Sequence, residues 1–146
     1  MIQSYILDTN VLLALVRGKA LGESIDKAYG LRSSLQRHTA SIASQAELFV
    51  LADRNKWGAA KRAVLQGMLE QLVVVPIDGQ GLVDAYVQIS DADSKWPQGP
   101  RNMGKNDIWI AATALYVSLP LLTTDKDFLF LDNNPIQVMW IDPMTA

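Results

Sequence analysis

The 146-residue sequence contains no cysteine and a single histidine, His38. The absence of cysteine excludes a disulfide scaffold, a thiol nucleophile and any zinc or iron–sulfur site built on thiolates. One histidine argues against a multi-histidine metal site or a Ser-His-Asp triad within the chain. His38 is predicted at the surface, at the end of a helix. A net charge of −2 also lacks the strong positive excess of proteins that hold nucleic acid by charge alone.

Long apolar runs are missing as well. The opening segment Met1–Ser4 has no basic stretch, and the apolar run nearest to it, Val11–Val16, is too short for a signal peptide or a membrane span. We therefore expect a cytoplasmic protein without a membrane partner. Hydrophobic residues make up 49% of the chain and charged residues 19%. The charged fraction lies below the usual value of about 25%, which indicates an apolar surface covered by a partner.

Short apolar segments alternate with helical patterns along the chain. Strands are predicted at Tyr5–Leu7, Val73–Val75, Pro120–Thr124 and Ile136–Ile141. Helices are predicted at Asn10–Arg17, Leu21–Arg37, Ser44–Arg54, Ala59–Leu72, Gly81–Ser90 and Asp107–Val117. This alternation is typical of an α/β domain with a mostly parallel central sheet. The length suits one domain over residues 1–146.

Four acidic residues fall where one edge of such a sheet is expected. Asp8 and Asp125 directly follow predicted strands, and Glu47 and Asp107 lie in the first turns of predicted helices. Helices that follow parallel strands begin at the carboxyl edge of the sheet, where α/β proteins bind their ligands. The four carboxylates can therefore converge from distant parts of the chain.

A cluster of carboxylates needs a positive ion, because like charges repel one another and favour protonation. Oxygen ligands without cysteine or several histidines suit Mg²⁺ or Mn²⁺. Such an ion clamps a phosphodiester and activates water for its hydrolysis.

Each acid also has a purely structural interpretation. Glu47 follows Ser44 by three residues, as in a capping box. Asp8 and Asp107 could cap or begin helices. Either Asp125 or Asp127 could cap the turn that comes next.

Four segments carry these acids: Leu7-Asp8-Thr9-Asn10-Val11-Leu12-Leu13, Ser41-Ile42-Ala43-Ser44-Gln45-Ala46-Glu47-Leu48, Gly104-Lys105-Asn106-Asp107-Ile108-Trp109-Ile110-Ala111-Ala112-Thr113-Ala114 and Leu121-Leu122-Thr123-Thr124-Asp125-Lys126-Asp127-Phe128. In this order they resemble the motifs of PIN-domain ribonucleases, many of which are toxins of toxin–antitoxin pairs. The third segment is the most similar, and together the four span most of the chain.

The resemblance implies a PIN fold, which is a three-layer α/β/α sandwich, and an RNA-hydrolysing enzyme that depends on Mg²⁺ or Mn²⁺. It assigns the metal and catalytic roles to four acids: Asp8, Glu47, Asp107 and Asp125. Asp127 is a further metal candidate, and the spacing leaves open which of Asp125 and Asp127 faces the metal. Thr9, Asn10 or Thr124 would hold the carboxylates by hydrogen bonds. An antitoxin and a second copy of the chain are the implied protein partners.

The segment Ala92–Asn106 is predicted to be a long loop, because it has no periodicity and contains several prolines and glycines. Its basic residues Lys95, Arg101 and Lys105 are hypothesised to contact RNA phosphates, with an ordinary surface loop as the alternative. Two tryptophans in polar surroundings, Trp57 and Trp96, could stack on a base or pack against a partner. The remaining two, Trp109 and Trp140, are expected in the core.

Two other functions compete with the nuclease. A strand followed by Asp8 also resembles haloacid-dehalogenase-type phosphatases, but Asn10 stands where their second catalytic aspartate belongs. A PIN-like module that binds RNA or protein without cutting is the other alternative. Such a module would be expected to have lost acids that this chain keeps.

Overall fold

The computed structural model describes residues 3–145 and contains a five-stranded sheet. Its strands are β1 (Ile6–Leu7), β2 (Thr39–Ser41), β3 (Val73–Val75), β4 (Leu121–Thr123) and β5 (Val138–Trp140). They are arranged in the order β3-β2-β1-β4-β5, and every neighbouring pair is parallel. This confirms the predicted fold class, and it makes β1 and β4 direct neighbours near the middle of the sheet.

Six α-helices cover the two faces of the sheet: α1 (Thr9–Arg17), α2 (Ala20–Tyr29), α3 (Ile42–Arg54), α4 (Ala59–Gln71), α5 (Gln80–Ser94) and α6 (Lys105–Val117). Successive strand side chains point to opposite faces. Leu7 and Leu122 therefore pack into a core with α1–α4, whereas Ile6 and Leu121 pack into a second core with α5 and α6. The result is the three-layer α/β/α sandwich. No helix within residues 3–145 is long and apolar enough to cross a membrane.

The segment predicted as one helix over Leu21–Arg37 contains two. Helix α2 ends at Gly30, whose φ of +62° stops the helix, and a 3₁₀ helix follows at Arg32–Arg37. The short strand β2 comes next and was missed, because three buried residues give too little periodicity to detect. Helix α5 is also longer than predicted, reaching Ser94, and α6 starts at Lys105, so the connecting loop is shorter than the sequence indicated.

His38 and Trp57 are buried, and the predictions that placed them at the surface are wrong. His38 is fully buried: its Nδ1 accepts the Tyr5 main-chain N–H at 3.2 Å, and its Nε2 lies 2.9 Å from the Ser34 hydroxyl. Trp57 is 8% exposed and belongs to the core under α3 and α4, so it is no platform for a base. Trp109 and Trp140 are only half-buried, at the margins of the core.

Helix α2 lies very close to α1 at Gly22. A Cβ atom added there would stand 2.2 Å from the main-chain oxygen of Ala14, which cannot move without shifting α1. We expect Gly22→Ala to lower the free energy of unfolding by roughly 1–3 kcal/mol in urea denaturation. Gly67→Ala in α4 is the matched control, since its Cβ would meet nothing within 4 Å. That substitution should raise stability by about 0.5–1 kcal/mol, and equal effects at both sites would contradict the close approach.

Candidate active site

Asp8 lies between β1 and α1 and is 3% exposed. Its Oδ1 accepts the main-chain N–H of Thr9 at 2.7 Å, so it caps α1, in agreement with the structural interpretation. Its Oδ2 accepts the hydroxyl of Thr123 at 2.6 Å. Both oxygens of a buried carboxylate are thereby fixed in direction, which suits a group that must hold one orientation toward a ligand.

The end of β4 continues this arrangement. The hydroxyl oxygen of Thr123 accepts the main-chain N–H of Asp125 at 2.9 Å, and Asp125 Oδ1 accepts that of Asp127 at 2.9 Å. Asp125 therefore caps the 3₁₀ helix Lys126–Leu131. A chain of hydrogen bonds runs from Asp8 through Thr123 to both of the candidate acids after β4.

Glu47 joins the site from α3. The Thr9 hydroxyl lies 3.0 Å from Glu47 Oε1 and 2.9 Å from the Ser44 hydroxyl. Ser41 is the residue that caps α3, by accepting the N–H of Ala43, so the capping-box interpretation of Ser44 and Glu47 is wrong. Glu47 instead sits in the second turn of α3, and its carboxylate accepts the hydroxyl of Thr9, the residue that follows Asp8.

Asp107 is the third residue of α6 and is half-buried. It borders two clefts. One, of about 270 Å³, is also lined by Asp127, and the other is also lined by Glu47 and Lys105. Asp107 thus shares one cleft with Asp127 and the other with Glu47, and it completes the acidic cluster.

The electrostatics of the site reflect burial and crowding of like charges. Burial raises the pKa of Asp8 to about 7; Asp107 and Asp125 add to the rise, while the hydrogen bonds from Thr123 and Thr9 oppose it. Burial also raises the pKa of Asp107 to about 6, with further contributions from Asp125, Glu47 and Asp127. The acids therefore influence one another electrostatically although they are far apart in sequence.

The donor set fits a hard divalent cation. The four ion pairs among the described residues involve other acids (Glu23, Asp26, Asp53 and Asp91), so no protein cation neutralises the cluster. Within residues 3–145 no three acidic or histidine side chains stand in an arrangement that would already hold one ion. A bound cation would relieve the repulsion between these carboxylates. Oxygen-only ligands in this number match Mg²⁺ or Mn²⁺.

The predicted supporting residues divide into two groups. Thr9 holds Glu47 as expected, whereas Asn10 is exposed on α1 and Thr124 offers its main-chain oxygen to Trp140. Thr123 supplies the hydroxyl that was expected from Thr124. The register explains the error: Leu7 pairs with Leu122, so the next residue in each strand, Asp8 and Thr123, come together. Sequence alone does not give that register.

The predicted RNA-binding residues also differ in their placement. Arg101 and Lys105 are exposed at the two clefts that border Asp107. Lys95 lies at the end of α5, where its ammonium group pairs with Asp91 at 3.7 Å. Two of the three cations therefore flank the acidic cluster.

Comparison with known proteins finds similar chains. Residues 5–133 match the family model described as the PIN domain. Ribonuclease VapC5 from Mycobacterium tuberculosis is 30% identical over 130 residues, covering 87% of each chain. Among solved structures, FitAcB from Neisseria gonorrhoeae is 25% identical with a TM-score of 0.70, covering 97% of this chain and 99% of that one. VapBC-5 from Mycobacterium tuberculosis, a member of the VapBC family of toxin–antitoxin systems, is 24% identical with a TM-score of 0.65, covering 94% and 98%.

Proposed function

Because the chain belongs to the PIN domain family, we propose that it is a metal-dependent endoribonuclease and the toxin of a toxin–antitoxin pair. The proposal is supported by the contacts that link these acids at the carboxyl edge of the sheet. Thr123 bonds to Asp8 and Asp125, Thr9 bonds to Asp8 and Glu47, and Asp107 borders a cleft together with Glu47. We propose that the protein acts in the cytoplasm.

In the proposed reaction, Asp8, Glu47, Asp107 and Asp125 would hold Mg²⁺ or Mn²⁺, with Asp127 beside them. The bound cation supplies Lewis-acid activation of the phosphodiester and of water. Thr123 and Thr9 fix the two oxygens of Asp8, so that this carboxylate does not have to reorganise during the reaction. Asp107, which borders both clefts, is the candidate to accept the proton of the attacking water, and Asp125 is the alternative.

The cations around the clefts give this proposal a binding test. Changing Lys95, Arg101 and Lys105 together to Ala should weaken the binding of single-stranded RNA and lower the slope of log K against log salt. Each lost phosphate contact should lower that slope by about 0.7. Since Lys95 is paired with Asp91, most of the loss should come from Arg101 and Lys105.

The control for this test is the double variant Arg37→Ala and Arg54→Ala. Both arginines are exposed, and they lie before β2 and at the end of α3, on the edge of the sheet opposite to the acids. Fluorescence anisotropy across a salt series would measure all variants. An unchanged slope in the triple variant would show that the loop is only a connector.

We propose an antitoxin and a second copy of the chain as protein partners. The relatives include VapBC toxin–antitoxin complexes, which supports the antitoxin. Large apolar side chains are exposed on α3, α4, α5 and β3, which is surface that a partner would cover: Phe49, Val50, Val64, Val73, Val83 and Val87.

A further inference from the structure

A cleft of about 270 Å³ lies beside the acidic cluster, and most of its wall comes from one loop. One side is formed by Asp107, Asp127 and Phe128, and the other by consecutive residues of the connecting loop, 98–104. This volume lies just below the roughly 300–1,000 Å³ of ordinary small-molecule sites. It therefore suits a single flat ring system better than a larger ligand.

The loop that forms the cleft is tied to the end of α5 by Asp93. This residue is 8% exposed; its Oδ2 accepts the main-chain N–H of Met103 at 3.2 Å, and its main-chain oxygen accepts that of Arg101 at 3.4 Å. Gly99 (φ +103°) turns the chain just before these two attachments, and Asn102 (φ +57°) lies between them. These hydrogen bonds hold the loop that forms the cleft wall in one conformation.

An aromatic and cationic cluster supports the same wall. The guanidinium of Arg101 lies over the ring of Phe130, 5.2 Å from its centroid, and that ring meets Trp96 edge to face at 5.3 Å. The positive group is thus held at the cleft by stacking, without an acidic partner among the described residues. A guanidinium held in this way can stack on a base or contact the phosphate next to it.

Two amide side chains stand at the same cleft. Gln98 and Asn102 both line it and are exposed, so their donors and acceptors are open to a ligand. Amides that present a donor and an acceptor side by side match the edges of nucleobases. Single-stranded RNA is read by this combination of hydrogen bonds to a base edge with stacking on its face.

We propose that this cleft is a base-recognition subsite, in which Gln98 and Asn102 read one unstacked base of single-stranded RNA while Arg101 contacts its face or its phosphate. This inference rests on the proposed function, because Asp107 and Asp127, which border the cleft, would place that base next to the phosphodiester to be cut. It makes the loop a determinant of sequence preference. A folded protein partner fits less well, since the cavity is small and is lined by exposed polar side chains.

The test measures RNA binding in a protein that does not cut. In the Asp8→Asn background with Mg²⁺, labelled hexanucleotides of uridine, cytidine or adenosine are titrated and followed by fluorescence anisotropy. The unaltered loop should bind its preferred sequence about tenfold more tightly than its least preferred one. The double variant Gln98→Ala and Asn102→Gly should bind all three within about twofold. Glycine at position 102 keeps the left-handed conformation while removing the amide.

Gln66→Ala on the exposed face of α4 is the matched control and should keep the base preference. Gln98→Ala alone repeats the test without altering a residue of positive φ. In the active protein, the positions at which a mixed-sequence RNA is cut should lose their base preference in the double variant while cleavage continues. Cleavage with the original preference would overturn the inference and leave the proposed function standing. Equal binding of all three oligonucleotides by the unaltered loop would also overturn it. Selective binding that the double variant loses, in a protein that cuts no RNA, would support the subsite and contradict the nuclease.

Discussion

Asp8→Asn should reduce RNA cleavage in Mg²⁺ or Mn²⁺ by about a thousandfold or more. Asn keeps the shape of the side chain and an oxygen that can cap α1, so the fold should persist. What is lost is the negative charge that Thr123 and Thr9 orient toward the proposed metal site. The measurement is the single-turnover rate of cleavage of a labelled RNA, with circular dichroism to confirm folding.

The control for this variant is Asp84→Asn, which removes an exposed carboxylate of α5 and should leave cleavage unchanged. A chelator should abolish cleavage by the unaltered protein. If Asp8→Asn cut RNA as fast as the unaltered protein, the proposed site would be wrong. If neither protein cut RNA in any condition, the non-catalytic alternative would be favoured. Release of phosphate from small phosphoesters, lost in Asp8→Asn, would favour the phosphatase.

The second large effect concerns stability against pH in the metal-free protein. The pKa of Asp8 rises from 3.8 in the unfolded chain to about 7 in the fold, so between these values the folded state binds the extra proton. Stability from this group is complete below about pH 4 and is lost as pH rises through 7. At about 1.4 kcal/mol per pH unit, the total is of the order of 4 kcal/mol.

Thermal or urea unfolding in chelator, at intervals from pH 4 to 8, measures this loss. His38 acts in the opposite sense, because burial lowers its pKa and its contribution is lost as pH falls. The difference between the unaltered protein and Asp8→Asn isolates the carboxylate. The variant should be the more stable protein at pH 8, and Mg²⁺ or Mn²⁺ should stabilise the unaltered protein there by mass action. Parallel curves of stability against pH for both proteins would contradict a raised pKa of Asp8 in the folded state.

Elements with a clear apolar pattern could be predicted from the sequence. Strand β1 and helices α1 and α4 were predicted nearly at their observed bounds. Each has a clear apolar pattern, and Gly18 and Gly58 mark the end of α1 and the start of α4. Strand β2 was not predicted, since three residues are too few to show a periodic pattern. Without β2 in the prediction, Ser44 rather than Ser41 resembled the cap of α3. The true cap, Ser41, is recognised only when β2 is known to end there.

The candidate acids were found for a similar reason. Asp8 and Asp125 follow apolar strands, which is a local signal, whereas the groups that orient them depend on pairing between strands. Thr123 reaches Asp8 across 115 residues of sequence, through a register that no local pattern specifies. The burial of His38 is equally non-local, since it depends on Tyr5 and Ser34 on either side.

The same distance between Asp8 and Thr123 has a consequence during synthesis. A ribosome makes Asp8 well before Thr123 and Asp125, and β4 is the neighbour of β1 in the finished sheet. A nascent chain that ends before β4 has neither the hydroxyl that orients Asp8 nor the acid beside it. The site around Asp8 therefore assembles only after β4 has been synthesised and has paired with β1.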